Sequence, residues 1–378
     1  MNSVIVGTGR MGSAIAYAMH NLGHSLSLVD QTENSFDYFK SLMGPLELDK
    51  SNVKYHAVMN IKADILGICR NADVVISALP YHQTQIVADI CIENDIPYCD
   101  LGGRVDVSEN INYKAAERCL SMKGKCPVFT DLGLAPGLVN ILAEWGYHEL
   151  GGADSIKMMV GGLPALSHVN PLSYSVTWSV DGLINEYRDD CEILKDGKIK
   201  IVKGMTEVEL ISTKAHETQN LEAFCTSGGA AHTIRTMHER GVSDCVYKTL
   251  RYPGHRDLVK FLIRDCELSD ACLGEIFLRG CHNLGRDIVI VICSVSKGDL
   301  EWKKEFVIKS DSPGISDRKT VVPISAMQKG TAFPIASVAS LIATKQMPML
   351  GPAEYSEIPF ELFNNNMEKL GIKLNADH

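Results

Sequence analysis

The sequence predicts an α/β protein. A doubly wound parallel Rossmann sheet is expected over residues 1–135, a second α+β domain carrying an antiparallel sheet over 136–324, and C-terminal helices over 325–378 that pack back near the first domain. Three observations carry that reading. Residues 3–6 form an apolar strand that meets Gly7-Thr8-Gly9-Arg10-Met11-Gly12 and then a helical stretch, 13–22. Strand-like and helix-like segments then alternate, which builds a parallel sheet with helices on both faces. From about residue 137 the pattern changes to apolar runs joined by tight turns such as Asp196-Gly197, the mark of antiparallel hairpins.

Residues 25–29 are the second strand and end at Asp30. Residues 73–78 read as a strand broken by Leu79-Pro80, with a helix following through Val87 and Ile90. Short strands at 98–101 and 128–131 end at Gly102-Gly103 and at the loop 131–137. Pro136 lies near the first turn of a helix reaching Leu150, where its missing N–H costs little. Residues 156–160 form a strand expected to end at Gly161-Gly162-Leu163-Pro164. A hairpin at 193–202, strands at 208–211 and 245–252, a helix at 254–264 and a hairpin of 288–295 with 301–308 complete the second domain. Helices at 332–344 and 359–370 close the chain.

Composition narrows the function classes. The chain has 378 residues, 45% hydrophobic and 22% charged, enough apolar side chain to exclude intrinsic disorder. The uncharged stretch 330–344 falls short of the ~18–20 apolar residues of a spanning helix and contains Pro334, so no membrane partner is expected. A net charge of −9 argues against a nucleic-acid backbone as partner but leaves a small anionic ligand open. None of the twelve cysteines stands in a C-x-x-C pair, and the densest group, Cys266 to Cys293, matches no zinc spacing. No metal is expected, and free thiols suit a reducing cytoplasm. Met1-Asn2-Ser3 runs straight into a strand with no basic leader, which points the same way.

The order strand, glycine turn, helix, strand, acid is the dinucleotide fingerprint, with Asp30 placed 18 residues after Gly12. Gly7 turns the chain out of the strand. Gly9 has no Cβ, so a pyrophosphate can approach. Gly12 lets the helix pack on the sheet, and Arg10 and Met11 begin that helix, whose N–H groups and dipole hold the phosphates. Asp30 would accept the ribose hydroxyls and repel a 2′-phosphate. With no Arg or Lys in the next five residues, NAD is favoured over NADP. Ala78-Leu79-Pro80, Gly102, Gly133 and Pro136 mark loops at the strand ends on the cofactor edge.

Three further stretches carry candidate chemistry. The loop 131–137 suits a floor for a ring-shaped cofactor end, or is a plain strand-to-helix loop. Thr226-Ser227-Gly228-Gly229 exposes backbone N–H groups that would cradle a carboxylate, or is a plain turn. Tyr247, Thr249 and Arg251 share one face of a strand, with His255 one turn into the next helix. An arginine there suits a substrate carboxylate, the alternative being a surface Arg with a capping His.

Residues 7–12, 131–137, 160–164, 224–229 and 247–255 resemble, in the same order, the saccharopine dehydrogenase group, and most closely its lysine 6-dehydrogenase branch. The resemblance covers about residues 4–344. It implies NAD-dependent oxidative deamination of an amino-acid substrate at a side-chain amine in a homo-oligomer, commonly a homodimer. Reductive condensation of an amine with a semialdehyde, and a catalytically silent NAD-binding regulator, are the alternatives. Such an enzyme needs a carboxylate clamp, assigned to Arg251, and a proton acceptor, with Asp131, His255 and His82 as candidates. Tyr174 and Trp178 would line the aliphatic part of the substrate, or pack in the core.

Overall fold

The computed structural model describes residues 1–44, 52–122, 125, 127–167, 169–213, 220–281, 286–311, 323–347 and 350–374. Residues 312–322 and 375–378, inside the spans expected for the second domain and the C-terminal helices, lie outside the described residues. The chain divides into two compact units. Met1–Leu138 and Gln328–Leu374 belong to the first, and Val139–Asp311 with Ser325–Met327 to the second.

The first unit is the doubly wound sheet. Its strands are β1 (Asn2–Val6), β2 (Ser25–Asp30), β3 (Val53–Ala57), β4 (Val74–Ser77), β5 (Tyr98–Asp100) and β6 (Val128–Phe129). They lie in the order β3-β2-β1-β4-β5-β6, all parallel, with the order reversing beside β1. Central strands of such a sheet are covered on both faces, so Val4, Ile5, Val6, Val74, Val75 and Ile76 are fully buried. Strand β3, half-exposed at the sheet edge, has no apolar run and was not legible in the sequence. The C-terminal helix Ala326–Ala343 starts six residues before the expected 332 and holds Pro334 in its interior. Burial of Phe333, Ile335, Ala336, Val338 and Ala339 around that proline outweighs its low helix propensity. In this unit Ser340 Oγ lies 2.9 Å from the buried His24 Nε2, which ties the helix to the residue preceding β2.

The second unit is built on β7 (Ser155–Pro164), β8 (Asp190–Lys195), β9 (Lys198–Lys203), β10 (Glu209–Ile211), β11 (Leu221–Cys225), β12 (Asp244–Arg251), β13 (Asp287–Lys297) and β14 (Leu300–Lys309). The sheet runs β10-β11-β12-β7-β13-β14, with β8 on β12 and β9 on β8. The expected antiparallel hairpins are there, but β12 and β7 pair in parallel, so the sheet is mixed. Strand β7 does not stop at Val160. It continues through Gly161 and Gly162 in register with β13. Gly161 serves packing rather than a turn, since a Cβ there would sit 2.8 Å from Leu250 Cβ and 2.9 Å from Leu250 O, whereas one on Gly162 would meet Met327 Cε, the end of a flexible side chain. The Asp196-Gly197 turn has both residues at positive φ, 52° and 70°, as a two-residue hairpin requires. Helix Val180–Arg188 buries Leu183, Ile184 and Tyr187 against Phe224, Val259 and Phe277. Among the described residues no helix is long and apolar enough to cross a membrane.

Candidate active site

The glycine loop is shaped by close backbone contacts. Gly7 has φ of +90° and its N–H is held by Val29 O at 2.9 Å. A Cβ on Gly12 would lie 1.7 Å from Gly7 O, a backbone atom that cannot yield. Gly9 differs: a Cβ there would meet nothing within 4 Å. The chain itself therefore does not require glycine at this position, and the open approach is what a pyrophosphate needs. Gly9 is also the N-cap of helix Arg10–Asn21, which has no side-chain cap, so its first-turn N–H groups and dipole face an exposed loop. Arg10 is exposed and Met11 half-buried. The buried Gln328 donates to Arg10 O at 2.9 Å and anchors the loop from the C-terminal helix. These residues fit a dinucleotide. Ala78 and Leu79 pack over Gly7, and Pro80 precedes helix Tyr81–Glu93.

Asp30 is already engaged. Its Oδ2 accepts from the Thr8 N–H at 2.6 Å and from Thr8 Oγ1 at 2.9 Å, and its Oδ1 from the Gln31 N–H at 2.7 Å. Partial burial pushes its pKa up, but these bonds, with one from Ser35, outweigh that and hold it below the usual carboxylate value. The acid thus fixes the glycine loop and keeps a negative charge where the adenosine ribose would lie.

Asp131 sits at φ of +63°, buried, against the close approach of Gly102, where a Cβ would lie 2.0 Å from Asp131 Oδ1. Ser108 Oγ donates to Oδ1 at 2.8 Å and Thr130 Oγ1 to Oδ2 at 3.3 Å. Behind it lies a second buried carboxyl, Asp100, which accepts from Tyr98 Oη, the Gly102 N–H and the Asp131 N–H. Burial, then the charge of Asp100, push the Asp131 pKa up to about 7. Gly133 and Gly137 close the following loop, a Cβ on Gly137 lying 2.1 Å from Gly133 O, with Pro136 between them. His82 is exposed on the first turn of its helix and, among the described residues, has only Gln83 and the Tyr81 ring as polar or ring partners, neither of which orients it for proton transfer.

A second cluster forms within the other unit. Arg251, at the end of β12, is 4% exposed. Its Nε donates to Tyr187 Oη at 2.9 Å and its Nη1 to Leu250 O at 3.0 Å. Its Nη2 lies 3.6 Å from Glu186 Oε2. The rings of Tyr174 and Tyr187 flank the guanidinium at 5.1 and 5.7 Å. Burial opposes its charge, but Tyr187, Glu186 and Tyr174 outweigh that, so it stays cationic. Tyr174 is packed against Arg251, His255 and Phe277, and its hydroxyl receives the Trp178 N–H, so it holds the arginine rather than an open wall.

His255 does not fit the role of proton acceptor. It is fully buried, with Nδ1 2.8 Å from Leu172 O and Nε2 2.9 Å from Tyr187 Oη. A carbonyl only accepts, so the proton is assigned to Nδ1, and Nε2 accepts from Tyr187. Burial and the Arg251 charge drop its pKa to about 3. The imidazole stays neutral with both nitrogens used, and it orients Tyr187 towards Arg251. The Thr226–Gly228 turn also differs from expectation. The Ser227 N–H is bonded to Glu186 O at 3.1 Å and Ser227 Oγ donates to Asn185 O, so this N–H is not free to cradle a carboxylate. Gly228 takes φ of +84° to make the turn, and Thr226 Oγ1 donates to Glu186 Oε1 at 3.1 Å.

Glu186 is the residue that sequence reasoning missed. It lies on helix Val180–Arg188, whose signals were Ser179 as N-cap and apolar Leu183, Ile184 and Tyr187 at helical spacing. Those signals would have found the helix, but not what its glutamate faces.

A nucleotide-binding Rossmann unit, joined in one chain to a mixed-sheet unit that buries a guanidinium beside a carboxylate, is the architecture of a two-domain nucleotide-dependent protein. Residues 3–128 match the saccharopine dehydrogenase NADP binding domain, and residues 133–372 the saccharopine dehydrogenase C-terminal domain. The chain belongs to the saccharopine dehydrogenase family. It is 29% identical over 215 residues to saccharopine dehydrogenase [NADP(+), L-glutamate-forming] of Saccharomyces cerevisiae, covering 54% of this chain and 46% of that one. It is 30% identical over 148 residues to the mitochondrial alpha-aminoadipic semialdehyde synthase of Mus musculus, covering 38% of this chain and 15% of that one. The matches thus span less than half the length of both relatives. The solved structure of apo saccharopine dehydrogenase (L-Glu forming) from Saccharomyces cerevisiae superposes with a TM-score of 0.72 at 15% identity, covering 98% of this chain and 96% of that one, which shows the shared fold.

Proposed function

We infer that this protein is an NAD-linked oxidoreductase that oxidatively deaminates an amino acid at its side-chain amine, with L-lysine as substrate and 2-aminoadipate 6-semialdehyde as product. The observation that carries the reading is Arg251, a buried guanidinium with its Nη2 free of hydrogen bonds among the described residues and aromatic rings on its flanks. It supplies one planar fork for one carboxylate. Among the described residues the other buried Lys or Arg of this unit, Lys248, is bound to Glu209 at 2.8 Å. That pairing favours a substrate with one carboxylate over a condensed product with more.

When bound, the dinucleotide supplies the hydride acceptor. The chain's own residues do the rest. Gly7 to Gly12 and Asp30 hold the cofactor, and Arg251 Nη groups hold the substrate carboxylate. Asp131 holds or releases a proton at its carboxyl near pH 7, the range that exchange with an amine at neutral pH requires. NADH formation measured with lysine, ornithine, saccharopine and polyamines tests the reading. Turnover of saccharopine with none of lysine would replace it.

The charge of Asp30 supports NAD over NADP, although the matching family domain is named for NADP. Replacing Asp30 by Ser together with Gln31 by Arg is expected to weaken NAD binding by about 1.5–3 kcal/mol, the worth of charge-assisted bonds, and to raise NADP use. Wild-type protein using NADP as well as NAD would remove the assignment.

Self-association is part of the same reading. Strands β9 and β10 each pair on one side only among the described residues, and they expose Ile201 and Leu210 at 61% and 67%. Open edges bearing apolar side chains tend to be covered. Sedimentation equilibrium at micromolar concentration is expected to give a homodimer, and a monomer would overturn this.

A further inference from the structure

Arg251 and Glu186 place opposite charges side by side, each with an unused atom. Glu186 Oε1 is held by Thr249 Oγ1 at 2.5 Å, with Thr226 Oγ1 at 3.1 Å and the two hydroxyls 2.7 Å from each other. Its Oε2 has no hydrogen bond among the described residues and only the ion pair at 3.6 Å, longer than a hydrogen bond. The glutamate keeps 12% of its side-chain surface exposed against 4% for Arg251. Arg251 in turn spends Nε on Tyr187 and one Nη1 hydrogen on Leu250, which leaves the second Nη1 hydrogen and both on Nη2. Arg–carboxylate pairs are frequently closed by short, bidentate bonds, which this contact lacks. Here the threonines, Tyr187 and His255 hold each partner from behind instead.

We propose that Glu186 Oε2 receives the α-ammonium of the substrate, so that the Glu186–Arg251 pair recognises the zwitterionic head of an α-amino acid. This rests on reading Arg251 as the carboxylate clamp. The ammonium and carboxylate of an α-amino acid are one carbon apart, which suits neighbouring anion and cation. An α-amine bound by a carboxylate is held protonated and unreactive, which leaves the side-chain amine as the one free to be oxidised. Glu186 is thus a specificity-determining residue, and Thr226 and Thr249 are positioning residues that fix its carboxylate.

Calorimetric binding to the purified full chain tests this without turnover. Lysine, ornithine and glutamate are each compared with the analogue lacking the α-amine, 6-aminohexanoate, 5-aminopentanoate and glutarate. Wild type is expected to bind at least one α-amino acid about 10–100-fold more tightly than its analogue, the worth of one charge-assisted contact. Glu186→Gln, which keeps the acceptor for both threonines, is expected to lose that preference and leave the analogue's affinity within a few-fold. Equal binding of both members of every pair by wild type overturns the proposal, as does failure of every α-amino acid to bind. A Glu186→Gln protein that keeps the preference overturns it too. If this variant does not fold, the wild-type comparison alone decides. Failure of the enzymatic reading looks different: an α-amino acid binds with the preference, yet no NADH is formed with it.

Discussion

Asp131→Asn is expected to make the protein more stable at neutral and alkaline pH and far less active. The unfolded carboxyl loses its proton near pH 3.8, whereas the folded one keeps it to about pH 7. Between those values the folded state binds more protons, so stability falls as pH rises through this window and stays at the lower level above it. The stability is fully present only below about pH 3.8. A tenfold difference in proton affinity between the two states is worth about 1.4 kcal/mol, so the neutral isostere should gain about 2–4 kcal/mol at pH 8 and nothing at pH 4. Asparagine fits the site, because its oxygen accepts from Ser108 and its amide can donate to Thr130 Oγ1. If Asp131 exchanges the substrate proton, kcat should drop by about 10²–10⁴-fold while NAD affinity holds. Denaturant melts at the two pH values and steady-state kinetics check both halves. A variant with wild-type kcat would move proton transfer to another group, and equal gains at both pH values would remove the titration argument.

Arg251→Ala is expected to weaken substrate capture by about 2–5 kcal/mol in kcat/KM, because a buried carboxylate of the substrate is left without its partner. The same change strips Glu186 of its cation and Tyr187 Oη of its donor, so the melting temperature should also fall. NAD affinity separates the two effects. The glycine loop belongs to the other compact unit, and nucleotide binding by the folded fraction should hardly change. Arg251→Lys should recover little, since a point charge cannot bond Tyr187, Leu250 and a carboxylate with one planar fork. An amine without a carboxylate should be poor for wild type and no poorer for the mutant. Unchanged KM and kcat in a folded Arg251→Ala protein would make this arginine purely structural.

The glycine-turn half of the fold was legible because its requirements are local. A strand, a turn needing Gly7 at positive φ, a helix start uncapped at Gly9 and an acid at the end of the next strand all fall within residues 2–30, and each residue type has one evident task. Hairpins with an Asp196-Gly197 turn are legible for the same reason. Packing glycines are not. Gly161 and Gly162 look like a strand end, and only the proximity of Leu250 explains the first of them.

The amino-acid sequence by itself thus determined the family's two-domain order, the glycine turn of the parallel sheet and the place of Arg251 at a strand end. Tertiary structure decided the chemistry of every titratable candidate. His255 looked like a neutral-pH base, but burial beside Arg251 with both nitrogens bonded makes it a positioning group. Asp131 acquires its pKa of about 7 from burial and from Asp100, 31 residues away. Glu186 meets Thr226, Thr249 and Arg251 only when a helix, strand β12 and the turn after β11, up to 65 residues apart in the chain, come together. Protonation states and ion pairs depend on desolvation and on charges a few ångströms away in space, and one-dimensional spacing carries neither quantity.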